Sequence, residues 1–452
     1  MQVNVIHDNI EFEGRIRYVF DFIQNHPLSE GNFTFVFEGD TTDAATLYFT
    51  KSKLQQGHPS LYIPAQAAVF STSGSIMELV PNGYEFEGFL LQSVEANTFS
   101  GNKPFYSMGQ FGFDLMEALF FHISRMEECF CGPGQKDVHG RMLAEAQFLV
   151  RHQLEKSPVV DQLVFCFLQV LRQELRGDVK SPRKFPSCHR FTFDVDILEK
   201  YARLPPFRSL AKYLLKTPNL SALSKLAGSY IATKSGKAKD PYLTFDWMLQ
   251  SDFKGEQVVY FLVGGASKFD KPFPVINHLY REVLDLALER GLEIGLHPSY
   301  YCVDSLDRLA EEKERLEKLV GTPIQKSRQH FLHFSFETTP NILEQVGIEE
   351  DASLGFSDRI GFRCGTGFPY FLYDFSTEQP LRLKETPMVV MDVALMREGK
   401  NDGEKINRIL EDFLSRNRHL TQITFNFHNS RFFDAELDGV DLRKLFHSIV
   451  DR

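Results

Sequence analysis

The chain has 452 residues, 43% of them hydrophobic and 24% charged, with a formal net charge of −10. That balance excludes global disorder and a fibrous protein, and the acidic sign without a basic block argues against nucleic acid or anionic membrane as a partner. At roughly 150 residues per domain the length allows two or three domains, and 43 phenylalanines against one tryptophan supply ample core.

The first residues, Met1 to Asp8, carry no basic segment followed by an apolar one, so no secretory signal is expected there. No run approaches the roughly 18 apolar residues of a transmembrane helix. Six cysteines are too sparse for a disulfide framework in a chain of this length, and Cys129 and Cys131 have no second pair at zinc spacing. A cytoplasmic, reduced protein is the expectation. Oligomeric state is left open.

In chain order, residues 1 to about 100 read as short strands with turns. Phe33–Phe37 and Ala45–Phe49 are β-rich, and Pro81-Asn82-Gly83 is a turn signal. Leu115, Leu119, Ile123 and Met126 then recur at helical spacing, and a second helical stretch is expected from Arg141 to about Leu175. Gly, Pro and charge over Arg176–Lys184 mark a domain boundary. Beyond it strands and helices alternate. Strands are expected at Arg190–Asp196, Gln257–Val263, Glu293–Leu296, Arg328–Phe336, Pro387–Val393 and Gln422–Phe427. Helices are expected at Val275–Arg290, Ser305–Val320 and Ile406–Leu414. Residues 202–250 read as a basic surface insertion. Such alternation predicts parallel β/α units, wound open or closed into a barrel.

In β/α folds functional residues gather where strands end. The polar residues there are Asp194 and Asp196, Gly264-Gly265, His297 and Ser299, Arg328 and His330, Asp392, and His428 with Asn429. Carboxylates at i and i+2 project to one side of a strand. With a divalent cation on one of them, the other stays free as a general base, the arrangement of hydrolytic metal sites. His297 follows an apolar strand directly, and neutral imidazole is a good ligand for zinc. His330 and His333 would face opposite sides of a flat strand, so at most one of them belongs to the site, and His330 is favoured because it lies nearer Arg328. His428, ending the last strand, is placed to protonate a leaving group.

These residues in this order resemble the NodB-type polysaccharide deacetylases, carbohydrate esterase family 4. Thr192-Phe193-Asp194-Val195-Asp196 is similar to the first motif in its F-D-x-D form, which implies Asp194 as catalytic base and Asp196 as metal ligand. His297 matches the first histidine of the H-[ST]-x-x-H motif, while Tyr301 stands where the second belongs, leaving His330 as the candidate to complete the set. Ser327-Arg328-Gln329-His330 resembles the third motif, with Arg328 orienting the base, and Phe427-His428 the last, with His428 as catalytic acid. The stretch from Glu350 to Gly367, ending Gly361-Phe362-Arg363-Cys364-Gly365-Thr366-Gly367, resembles a Y-D-S-S-x-G-Y…G-F-R-x-G-T segment of bacterial deacetylase-like proteins. Asp137-Val138-His139-Gly140-Arg141 looks like part of the accessory domain that precedes such barrels in Bacteroidetes-type proteins.

The resemblance implies an accessory α+β domain over 1–185 and a distorted (β/α)7 TIM-like barrel over 186–452. It further implies a divalent metal, Zn²⁺ first, and removal of acetyl groups from an acetylated carbohydrate. Two other readings stand beside it: a non-catalytic glycan-binding protein of surface-polysaccharide synthesis, and a hydrolase of another amide.

Overall fold

The computed structural model describes residues 1–8, 11–37, 45–51, 60–66, 69–70, 79–80, 82–86, 89–92, 94, 104–175, 188–201, 220–249, 255–265, 267–270 and 278–450. The boundary expected over 176–184, Pro81 of the expected turn, positions 202–219 of the basic insertion and positions 275–277 of the expected helix lie outside them. Packing divides the chain into two compact units. One holds Met1–Cys188, Phe362–Pro387 and Asn417–Gln422; the other holds His189–Gly361, Met388–Arg416 and Ile423–Arg452.

In the first unit, β1 (Gln2–His7), β2 (Thr34–Phe37), β3 (Ala45–Thr50) and β4 (Ser60–Pro64) pair in parallel in the order β2-β1-β3-β4. The helix Glu13–Asn25 crosses over between β1 and β2 and buries Ile16, Val19, Phe20 and Ile23 on one face, at the three- and four-residue spacing of an amphipathic helix. A hairpin, β5 (Gly83–Phe86) with β6 (Phe89–Gln92), and the short β7 (Tyr106–Ser107) and β8 (Gln110–Phe111) follow, β8 joining β4. The helical stretch expected over 141–175 holds two helices, a single turn at Phe148–Arg151 and Val159–Glu174, which starts only after Pro158, whose ring cannot continue a preceding helix.

Arg363, from the Gly-Phe-Arg segment, belongs to this unit, where its Nε donates to Glu128 Oε1 at 3.0 Å. Arg125 Nη2 donates to the same oxygen at 2.6 Å. Burial alone would raise Glu128, but the two guanidiniums pull its carboxyl down to about 2.

The second unit is built on β9 (Cys188–Val195), β10 (Gln257–Phe261), β11 (Glu293–Leu296), β12 (Lys326–Ser327) and β13 (Glu350–Asp351), all paired in parallel. β16 (Val390–Met391) pairs in parallel with β17 (Gln422–His428), and the order is β13-β12-β11-β10-β9-β17-β16. The numbers between are taken by β14 (Tyr370–Asp374) and β15 (Gln379–Glu385), an antiparallel hairpin of the first unit. Every residue of β10 is buried, as a parallel strand covered on both faces requires. Among the described residues no pairing joins β16 to β13, so no closed barrel forms there, and of the expected distorted barrel only its parallel β/α sheet is present.

Register places the site. Val195, Phe261, Leu296 and Ser327 are cross-strand partners in one row. One residue further along lie Asp196, Leu262, His297 and Arg328. The helix Leu306–Val320 buries Leu309, Glu312 and Leu316, and Gly321 ends it at φ 83° in the left-handed conformation favoured at that position.

The strand expected over 328–336 does not form. After Ser327 the chain leaves the ladder, His330–Leu332 is a single tight turn, and Phe331 and Leu332 sit at φ 62° and 52°. Positive φ at two successive residues is incompatible with an extended strand. Likewise Asp392 opens the helix Asp392–Glu398 where strand was expected to Val393. Among the described residues no helix is long and apolar enough to cross a membrane.

Candidate metal centre

Asp196, His297 and His330 each offer a ligand atom within 4.8 Å of the others. Asp196 lies just past β9, His297 just past β11, and His330 in the turn after β12. His297 Nδ1 faces the carbonyl oxygen of Arg328, which can only accept, so that nitrogen carries the proton. His330 Nδ1 lies 3.0 Å from Asp270 Oδ1, and the same reasoning protonates it. In the neutral rings, both Nε2 atoms therefore present lone pairs. His297 Nε2 is 3.2 Å from Asp196 Oδ1, and His330 Nε2 is 4.0 Å from Asp196 Oδ2. Asp196 Oδ1 is itself buried without a hydrogen-bond donor.

Three convergent lone pairs repel one another unless a cation lies between them. Donors on one ion at bonds of about 2.1 Å stand up to about 4.2 Å apart, and the spacings of 3.2 and 4.0 Å fit that limit. Histidine ligands of metals ordinarily donate their other N–H to a carbonyl or carboxylate, as both rings do here. The donor set fits a divalent cation.

Asp194 is 2% exposed and lies beside this cluster. Its Oδ1 accepts from Arg328 Nη1 at 3.0 Å and its Oδ2 from Asn426 Nδ2 at 2.8 Å. Burial would raise its pKa, but Arg328, then His297 and His428, outweigh burial and hold the carboxyl below its ordinary value. The Arg328 guanidinium is wholly buried over the Tyr260 ring at 4.5 Å, with Thr192 Oγ1 at 2.8 Å and Asn426 Oδ1 at 2.6 Å from Nη1 and the Ala352 carbonyl 2.9 Å from Nε. Burial would raise Asp196 too, but its surroundings, the contact with His297 foremost, outweigh burial and hold it low.

His428 faces the same space from the end of β17. Its backbone N–H donates to Asp392 Oδ2 at 2.7 Å, its Nδ1 lies 2.8 Å from Asp392 Oδ1, and its Nε2 lies 3.6 Å from Asp194 Oδ2. Burial disfavours the imidazolium, but Asp392 and then Asp196 and Asp194 raise its pKa to about 9.

All six residues singled out in the sequence thus share one end of the second unit. His333 does not: its Nδ1 faces the Tyr300 carbonyl at 3.0 Å. Tyr301, at the position of the second motif histidine, is 47% exposed, and its ring lies 5.7 Å from the Arg308 guanidinium. Three supporting residues had no sequence assignment. Asn426 is a buried amide inside an apolar strand, a detectable anomaly. Asp392 was marked only as a strand-end acid, and Asp270 follows no pattern in its segment.

Residues 4–176 match the model of a family of unknown function (DUF7033). No curated protein matches the chain. Among solved structures, a protein from Mycobacterium smegmatis described as a polysaccharide deacetylase is 15% identical, over 60% of this chain and 92% of that one, at a TM-score of 0.30. A mutant CE4-family pseudoenzyme with restored enzymatic activity is 11% identical, over 59% of this chain and 65% of that one, at 0.26. A GH57 branching enzyme from Thermococcus kodakaraensis is 8% identical, over 58% and 68%, at 0.27. At such scores these likenesses establish neither a fold nor an activity for this chain.

Proposed function

We propose that the second unit is a metal-dependent hydrolase that removes acetyl groups from a carbohydrate amide or ester. The observation that carries this reading is the convergence of three lone-pair donors, on Asp196, His297 and His330, next to a second ionised carboxylate, Asp194, with an imidazolium opposite. The motif order in the sequence supplies the substrate class. The same reading takes the seven strands from β13 to β16 as an incomplete (β/α)7 barrel beginning near residue 186.

A divalent ion held by Asp196, His297 and His330, Zn²⁺ first, would polarise the acetyl carbonyl and acidify a water. Asp194 takes the proton of the attacking water. Arg328 and Asn426 fix its two oxygens, so it is ionised and oriented before substrate arrives. His428, protonated by virtue of Asp392, delivers a proton to the amine or alkoxide as the carbon–nitrogen or carbon–oxygen bond breaks. Water adds across that bond, and acetate and the free sugar leave.

The test pairs metal analysis with acetate release from a panel of N- and O-acetylated sugars. The expected result is about one divalent ion per chain, turnover by the native protein, and an Asp194→Ala variant that keeps its metal but releases no acetate. Full turnover by that variant would remove Asp194 from the reaction, and a chain that retains no cation would remove the mechanism altogether.

A further inference from the structure

His330 is an unusual donor because nothing in the sheet aims it. It sits in an irregular turn with two successive positive-φ residues after it, whereas His297 extends a regular strand and is held by a backbone carbonyl. What fixes the His330 ring is a side chain. Asp270 Oδ1 lies 3.0 Å from its Nδ1.

The Asp270 carboxylate is itself fixed by groups other than His330. Tyr300 N–H donates to Oδ1 at 2.9 Å, Ser267 N–H to Oδ2 at 3.3 Å, and Asp270 N–H donates back to Ser267 Oγ at 3.0 Å. It is 1% exposed. It also lies so close to Gly265 that a Cβ there, on a backbone at φ +102°, would fall 2.6 Å from the Asp270 Cβ and Cγ atoms. Only glycine allows that approach. Gly265, four residues past the end of β10, is explained by what it admits, whereas its neighbour Gly264 makes room for Glu312.

We propose that Asp270, seated against Gly265, is the positioning residue that makes His330 a metal donor. A carboxylate only accepts, so Asp270 forces the proton onto Nδ1 and turns the Nε2 lone pair toward Asp196. This supplies, from the loop after β10, the third donor that Tyr301 cannot. The inference rests on the reading of Asp196, His297 and His330 as a cation site.

The experiment is titration of the metal-stripped full chain with Co²⁺, followed by calorimetry and by visible absorption, without substrate. Asp270→Ala should weaken binding about 10- to 100-fold, the usual cost of removing a residue that orients a metal ligand, and change the absorption band. Asp270→Asn, whose amide oxygen can still accept from Nδ1, should restore most of the affinity. His330→Ala with Asp270→Ala should bind no worse than His330→Ala alone, since the second residue acts through the first. If the native chain binds Co²⁺ and His330→Ala weakens it while Asp270→Ala does not, the positioning role is overturned and the cation site stands. If Asp270→Asn falls as far as Asp270→Ala, hydrogen-bond acceptance is not the cause and the proposal is overturned. If the native chain binds no Co²⁺, both fail.

Discussion

The two ends of the strands in the second unit are built on opposite plans. At the N-terminal end, Arg190, Lys326, Glu256, Glu293 and Glu350 form a network in which each charge meets an opposite one: Arg190 Nη2 lies 3.2 Å from Glu256, Lys326 Nζ lies 3.4 Å from Glu350, and Lys326 also pairs with Glu256 and Glu293. Glu256 and Glu293 are 41% and 50% exposed, so water shares the work and the network contributes little. At the C-terminal end the charges are buried and incompletely matched. Asp196 Oδ1 and Arg328 Nη2 are buried without hydrogen-bond partners. Unsatisfied buried polar atoms cost about 1–3 kcal/mol each, a cost that a cation bound at Asp196 would offset there. Arg190 Nε is buried without a hydrogen-bond partner as well, so the ends differ in exposure and pairing: opposite charges partly in water at one, and at the other the unshared lone pair of Asp196, a vacant valence, facing two imidazoles.

Four experiments bear on that contrast. The largest effect is expected from Asp196→Ala, which removes the shared carboxylate and should leave the purified chain without retained metal by elemental analysis. Retention of a full equivalent would shift the vacant valence elsewhere. Next, Arg328→Met strands Asp194 in the interior, and should lower stability by about 3–5 kcal/mol in urea unfolding with chelator present. A loss under about 1 kcal/mol would mean that the pair is not buried as described.

The third concerns pH. His428 is raised from its ordinary value to about 9 in the folded, metal-free chain. A raised folded pKa gives stability that is complete below about 6.5 and is lost as pH climbs toward 9. Turnover should fall over the same alkaline limb as the proton donor is lost, and a bound cation should move that limb to lower pH. His428→Gln should abolish the limb; a native profile flat to pH 10 would contradict the assignment. The smallest effect is expected from Lys326→Met at the opposite end: below about 1 kcal/mol by the same unfolding assay, with metal content unchanged. Metal loss in this variant would break the comparison outright.

The sequence carried much of this because the decisive residues follow strands whose apolar character is plain. Asp194 and Asp196 end β9, His297 ends β11 and His428 ends β17, and a parallel register puts such residues in one row. His330 reaches the same cluster from outside the ladder. The segment is a turn, not a strand, and no periodicity in Arg328–Phe336 announces two left-handed residues. Asp270 was invisible because its role depends on contacts with Tyr300, Ser267 and Gly265 rather than on spacing. The domain limit was read from Gly, Pro and charge, but positions 362–387 and 417–422 return to the first unit. No local pattern signals that return, since a buried ion cluster such as Arg125, Glu128 and Arg363 joins residues more than two hundred positions apart.

Arg328 serves two masters with two different chemical groups: its guanidinium holds Asp194, and its main-chain oxygen holds His297. Mutation reaches only the first. A lineage that exchanged this arginine would lose the oriented base at once, yet keep the imidazole tautomer that a cation needs, because every amino acid carries the same carbonyl. If the proposed reading holds, turnover and cation retention are separable by a single codon, and a chain that had lost hydrolysis in this way would show no change in its metal content.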